Sequence, residues 1–380
     1  MKTKLGQHRG KEVKFDMRNA PNKNIVIFGS SGTGKSTEEQ KIAVEIVAQG
    51  RTAVMLDCHQ VLGEDEIFWK HKEKFNLYMN EINAYEVGIA CDLFEPMIHS
   101  DGVREDSADA IYAVLDVLDR TLKFGHAQKA ALRMAISHVV EEGAYGKEGF
   151  RAIDQALVRI NTSVAEAVRE KIYSLTIHNV FHSGDFFIQE GKINIIRLSK
   201  FDLGTQETVA EMILSYIWRL AVVNYFRRKE IFLFVDEFQN LPSGKRSSLA
   251  QILSEGRKFG VNLILATQQL PRSNASVVQQ SLMQCGLILY FKPGADQVRV
   301  AAKMIDPENV NEWMQVLRGL KKGEFVASGT LELSGHRIEC PLRVSAFEKP
   351  CNFSREADGQ KPYTPERGKT YMNNRIEWRK

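Results

Sequence analysis

Asn24-Ile25-Val26-Ile27-Phe28-Gly29-Ser30-Ser31-Gly32-Thr33-Gly34-Lys35-Ser36 is the stretch that decides the fold. An apolar run of strand length breaks into a glycine-rich turn, and the turn ends in Lys-Ser at the head of a helical pattern. Gly29 to Ser36 is a full G-x-x-x-x-G-K-S, a match expected by composition in on the order of 1% of chains this long. The strand before it and the helix after it supply the context that the pattern requires. Glycines let the backbone wrap around phosphate oxygens, so that consecutive N–H groups and a helix N-terminus point at the anion. Gly29, Ser30, Ser31, Gly32, Thr33, Gly34, Lys35 and Ser36 are therefore the expected nucleotide cradle. Lys35 is placed to reach the β- and γ-phosphates, and the Ser36 hydroxyl to ligate Mg²⁺.

Outward from this turn, residues 35–49 read as a helix and 52–57 (TAVMLD) as a second buried strand, giving a βαβ unit with a parallel sheet. From about 61 to 190 the pattern is mainly helical, clearest where Leu132, Ala135, Ile136, Val139 and Val140 share one face. Strands then alternate with helices: 193–199, 231–238, 261–269 and 287–292 read as strands, and 205–223 as a helix. Residues 323–329 and 336–345 read as a closing pair of strands, and the tail from about 347 as irregular. The expectation is one α/β domain: a RecA-like P-loop NTPase core with a mostly parallel central sheet, formed by 24–60 and 191–346. A basic segment (1–23) precedes it, a mainly helical module (61–190) is inserted in it, and an irregular tail (347–380) follows.

Composition narrows the class. The chain has 380 residues, 43% apolar and 26% charged, which is ordinary globular usage. No apolar run is long enough to span a membrane, and the N-terminus has no apolar signal region. Five cysteines without C-x-x-C spacing argue against a disulfide framework or a zinc site, and point to the cytoplasm. Net charge is only +4, yet 61–190 holds 13 basic against 22 acidic residues while 1–23 holds seven against two. Basic ends are compatible with a nucleic-acid partner, whereas the acidic middle is a poor phosphate-binding surface.

Ile231-Phe232-Leu233-Phe234-Val235-Asp236-Glu237 reads as a central strand that delivers two carboxylates to its C-terminal edge, where such sheets bind ligands. Asp236 is the expected holder of the Mg²⁺ shell, and Glu237 the expected general base for an attacking water. The next strand ends in Ala266-Thr267-Gln268-Gln269, and Gln268 is placed either to sense the γ-phosphate or simply to be solvated. An ABC ATPase is disfavoured, because the only partial signature, Leu333-Ser334-Gly335, lies far after the Asp-Glu strand. A small-molecule kinase has no use for a carboxylate that activates water.

With these residues assembled, the chain resembles the HerA/FtsK superfamily of P-loop motor ATPases. The likeness rests on GSSGTGKS (29–36), VDEFQNL (235–241), SEGRKFGVNLILATQQ (254–269), the long helical insertion and LDCHQ (56–60). It implies ATP and Mg²⁺ as ligands and a homo-oligomeric ring, a hexamer, with DNA passing through its pore. It also implies that Arg257 is an arginine finger offered to a neighbouring subunit; the alternative is a cation complementing the end of its helix. Lys245, Arg246 and Arg272, in the loops after the two chemistry-bearing strands, are the candidate DNA contacts, equally readable as solvated loop residues. HerA proteins usually carry an N-terminal β-barrel and coupling proteins N-terminal membrane helices. Here 28 residues precede Gly29 and 34 follow 346, so the expectation is a stripped motor core. Its partner protein would bind the helical insertion and would recruit it to any membrane complex. The functional expectation is ATP-driven translocation of double-stranded DNA. The alternatives are the cytoplasmic ATPase of a conjugation or type IV secretion machine, and a nucleotide-gated scaffold for a nuclease or defence effector.

Overall fold

A computed structural model describes residues 1–59, 78–99, 101–146, 148–270 and 281–346. In its first third the strands are Lys2–His8 (β1), Lys11–Asp16 (β2), Ile25–Phe28 (β3), Thr52–Asp57 (β4), Met79–Asn83 (β5) and Ile89–Ala90 (β6), with helix Lys35–Ala48 (α1). Four helices follow: Ser107–Leu122 (α2), His126–Glu141 (α3), Phe150–Ile160 (α4) and Ser163–Ile177 (α5). Next come Phe181–His182 (β7), Ile193–Arg197 (β8), Leu203–Val222 (α6), Ile231–Val235 (β9), Ser248–Glu255 (α7) and Val261–Thr267 (β10). The chain continues through Leu287–Phe291 (β11), Val298–Ile305 (α8), Val310–Arg318 (α9), Glu324–Gly329 (β12), Leu331–Leu333 (β13), His336–Ile338 (β14) and Leu342–Ser345 (β15).

Among the described residues, thirteen strands form one sheet in the order β14-β13-β2-β1-β15-β12-β11-β3-β10-β9-β4-β8-β5. From β11 to β5 all neighbours run parallel, and from β12 to β14 all run antiparallel. The parallel strands inside the sheet, from β11 to β4, are buried on both faces because both are covered, whereas the edge strand β5 (MNEIN) is not. Alternation along each strand divides the core in two. Val26, Phe28, Leu233, Val235, Leu263 and Leu265 face a large cluster that includes α2 to α9. Ile25, Ile27, Phe232, Phe234, Ile264 and Ala266 face a smaller cluster built on α1.

Three expectations change. The first 16 residues are not a basic segment outside the core: β1 and β2 form a hairpin within the sheet. Arg9 and Gly10 both take positive φ, 49° and 77°, as a two-residue hairpin turn demands. Leu5, Val13 and Phe15 point inward, while the lysines between them, which dominate the charge of the segment, line the outer side. The 61–190 stretch also supplies β5, which pairs with β8 at the edge of the main sheet. Finally, 336–345 is two strands, not one: the chain turns before Pro341, and β14 pairs with β13 while β15 pairs with β12 and β1. The tail from 347 lies outside the described residues.

The hairpin closes over α1 and ties it to the sheet. Lys41 Nζ donates to the Leu5 carbonyl (2.7 Å), and the Lys4 N–H donates to Glu45 (2.6 Å). Consequently α1 is buried nearly all round, including Glu38, Glu39, Gln40, Lys41 and Glu45.

Candidate active site

Strand order brings the chemistry together. β3 lies between β11 and β10, and β9 lies next to β10. The turn after β3 is pinned on both sides: Gly29 N–H donates to Thr267 O (3.2 Å) and Ser30 N–H to Lys292 O (3.0 Å). A Cβ on Gly29 would sit 2.6 Å from Phe291 Cβ, so nothing larger than glycine fits there. Gly34 has φ +114° and caps α1 without a side chain. The first-turn N–H groups therefore face the turn with no side-chain acceptor in the way. The far side of the turn is braced where Gly323 N–H donates to Thr33 O (2.9 Å). Lys35 is buried at the head of α1, and its ammonium donates to Ser30 O (3.3 Å), across the mouth of the cradle.

The acidic pair sits at the end of β9. The Glu237 N–H donates to Asp236 Oδ1 (2.9 Å), and Glu237 itself takes the left-handed conformation at φ 48°. Burial raises the Asp236 carboxyl above its ordinary range, the neighbouring Glu237 charge adds to this, and Lys35 pulls the other way. Glu237 is 8% exposed, and its carboxylate is held at both oxygens. Gln268 Nε2 donates to Oε1 (2.5 Å) and Gln239 Nε2 to Oε2 (2.5 Å). Beside the pair lies a cavity of about 260 Å³ whose wall includes Cys58, His59, Gln206, Glu207, Asp236 and Glu237. Burial, reinforced by the Asp57 and Asp236 charges, pushes the Cys58 thiol up to about 12.

Residues 3–217 match the family model for the central domain of helicase HerA. The chain belongs to the HerA family. It is a P-loop ATPase motor of the HerA/FtsK type. The DNA double-strand break repair helicase HerA of Sulfurisphaera tokodaii is 23% identical over 370 residues, which cover 91% of this chain and 69% of the relative. A probable helicase of Methanocaldococcus jannaschii is 25% identical over 343 residues, 84% of this chain and 62% of the relative. Among solved structures, VirB4 of Thermoanaerobacter pseudethanolicus shares the fold at a TM-score of 0.66 and 17% identity, over 92% of this chain and 96% of that one. The conjugative coupling protein TrwB does so at 0.56 and 14%, over 91% and 89%.

In this HerA-family chain the cradle, Lys35, Ser36, Asp236, Glu237 and Gln268 gather at one edge of the sheet. Arg257 does not join them. It precedes β10, whereas the cradle is bonded to the far end of that strand, so seven residues, about 20 Å of strand, separate the two. Its exposed guanidinium donates to Pro21 O. Lys245 and Arg246 are exposed in the loop after β9; Arg272 lies outside the described residues. No helix among the described residues is long and apolar enough to cross a membrane.

Two residues of the HerA-type site went unassigned in the sequence. Gln239 was visible only as part of VDEFQNL. Glu39, one helical turn after Lys35, is 2% exposed, and its Oε2 has no hydrogen-bond partner. Burial raises its carboxyl well above the ordinary range, and the Asp236 charge adds to this. Its i, i+4 spacing from Lys35 was the available signal; its burial comes from the packing around α1. Asp57, at the end of β4, is paired with Arg197. The acidic field of Glu39, Asp236 and Glu237 around Lys35 fits a divalent cation. No described group of three or more His, Cys, Asp or Glu is arranged to hold one by itself. Mg²⁺ is commonly held by one or two side chains together with substrate phosphates, and Ser36 and Asp236 are the residues that would hold it here. The bound ion would neutralise charge developing on the phosphoryl oxygens.

Proposed function

We propose that this chain is one subunit of a homo-oligomeric ring, a hexamer, that hydrolyses ATP to drive double-stranded DNA through a central pore. The observation that carries this reading is the division of the site. The cradle, the acidic pair and Gln268 share one sheet edge, while Arg257 occupies the opposite edge, away from the cradle of its own chain.

Each residue then has a role. The turn N–H groups, Lys35 and Ser36 hold the triphosphate and its metal. Asp236 orients the metal's shell, Glu237 takes the proton of the attacking water at its carboxylate, and Gln268 reads the γ-phosphate. Arg257 stabilises the transition-state charge from the adjacent subunit, a contribution of roughly 10³–10⁵ in turnover where such fingers operate. Lys245, Arg246 and Arg272 contact DNA phosphates without reading sequence. The helical module is the surface for a partner protein, and a membrane complex would be reached through that partner. Seven large apolar residues between Val87 and Ile177 are exposed: Val87, Val103, Tyr112, Met134, Val158, Tyr173 and Ile177.

The test is ATP hydrolysis by the purified chain with and without duplex DNA over a salt series. DNA should stimulate turnover, and Lys245→Ala/Arg246→Ala should weaken the stimulation and flatten its salt dependence by a slope of about 2. Turnover indifferent to DNA, in a chain that still assembles with ATP, would point to the nucleotide-gated scaffold instead.

A further inference from the structure

Gln239 bridges two strands and holds the proposed base. Its amide nitrogen donates to Glu237 Oε2 (2.5 Å), and its amide oxygen accepts from the Thr267 hydroxyl (2.7 Å) at the end of β10. Gln268 occupies the other carboxylate oxygen (2.5 Å). Both oxygens of Glu237 therefore have an amide donor, and the two amides together set the direction in which the remaining lone pairs of the carboxylate point. If Gln268 turns to the γ-phosphate, Oε1 is released and Gln239 becomes the remaining protein restraint on the carboxylate.

The position of Gln239 connects that restraint to a surface. It sits in the turn Phe238–Asn240, where Asn240 N–H donates to Glu237 O (2.9 Å) and Leu241 N–H to Phe238 O (3.0 Å). The chain runs directly from this turn into the exposed stretch Ser243-Gly244-Lys245-Arg246. The stretch is then fixed again at Ser247, whose hydroxyl accepts from Ala250 N–H (3.2 Å) at the start of α7. A short stretch of chain thus joins the turn that carries Gln239 to the exposed Lys245 and Arg246, while Thr267 belongs to β10 of the sheet.

We propose that Gln239 is a positioning residue that holds Glu237 in a hydrolysis-silent arrangement and releases it when the 243–246 loop engages a nucleic-acid phosphate backbone. The inference rests on the reading of Glu237 as the base and of this loop as a DNA contact.

The experiment is steady-state ATP hydrolysis by the full chain, with and without duplex DNA, for wild type, Gln239→Met and Thr267→Val. Methionine keeps the length of the side chain and removes the amide. Gln239→Met should raise the DNA-free kcat at least about threefold, keep KM for ATP within about twofold, and respond little to DNA. Thr267→Val, which frees the far end of Gln239, should show a smaller rise in the same direction, and it decides the matter if Gln239→Met does not fold. A kcat that falls or stays unchanged in the folded variants would overturn the proposal, because Gln239 would then orient the base productively or not at all. A wild type that ignores DNA, beside a Gln239→Met chain with raised turnover, rejects the DNA coupling and the proposed cargo while supporting the restraint on Glu237.

Discussion

Glu237 combines a left-handed backbone with a carboxylate held at both oxygens, and both follow from its place two residues beyond a buried strand. Replacing it by glutamine keeps the shape and removes the proton acceptor. Glu237→Gln should bind ATP with near wild-type affinity, while kcat falls by roughly 10²–10⁴, the usual worth of a positioned base. Equilibrium nucleotide binding alongside steady-state turnover checks both halves. At this scale the sequence showed which residue types were present but not what held them. The cradle was legible because its chemistry is local: eight consecutive residues and the strand and helix that flank them. Gln239 and Glu39 were not, because their importance comes from contacts with other elements, the amide of Gln239 with β10 and the burial of Glu39 within the packing around α1.

Among the elements, α1 shows how the cradle is kept in place. Its Lys41 ammonium donates to Glu38 (2.7 Å) and to the Leu5 carbonyl of β1 (2.7 Å), and the Lys41 and Glu38 side chains are 6% and 2% exposed. Removing one partner leaves a buried charge without its complement. Lys41→Ala should lose about 3 kcal/mol in denaturant unfolding, and Lys41→Met/Glu38→Met should recover most of it. A different balance governs α6. Asp202 caps it by accepting from Gly204 N–H (3.0 Å) and Thr205 N–H (3.1 Å). The Thr205 hydroxyl bond is the largest influence holding its carboxyl below the ordinary aspartate range. A depressed carboxyl stabilises the fold above its unfolded pKa, near about 4, and that gain disappears as pH falls through the lower folded value. Asp202→Ala should therefore cost about 1 kcal/mol at pH 7, with the gap to wild type closing as unfolding is measured at progressively lower pH below 4. The parallel strands and long helices were readable because covered strands are apolar throughout and helices repeat. The β1–β2 hairpin was not, since its lysines hid a period-two pattern whose inward set is Leu5, Val13 and Phe15.

For the whole molecule, the cradle and Arg257 lie at opposite edges of the sheet, and the proposed reaction centre therefore joins two copies of the chain. A subunit built this way completes a site only beside a copy of itself, and a closed ring gives every copy a neighbour on each side. The most direct measurement is complementation. Lys35→Ala removes the cradle's lysine, Arg257→Ala removes the donated guanidinium, and each variant alone should hydrolyse ATP at background. Mixed in equal amounts and allowed to exchange subunits, they should regain about a quarter of the wild-type rate if sites act independently, because one junction in four joins an intact cradle to an intact arginine. Full activity in Arg257→Ala alone, or no recovery in a mixture shown to co-assemble, would contradict the shared site.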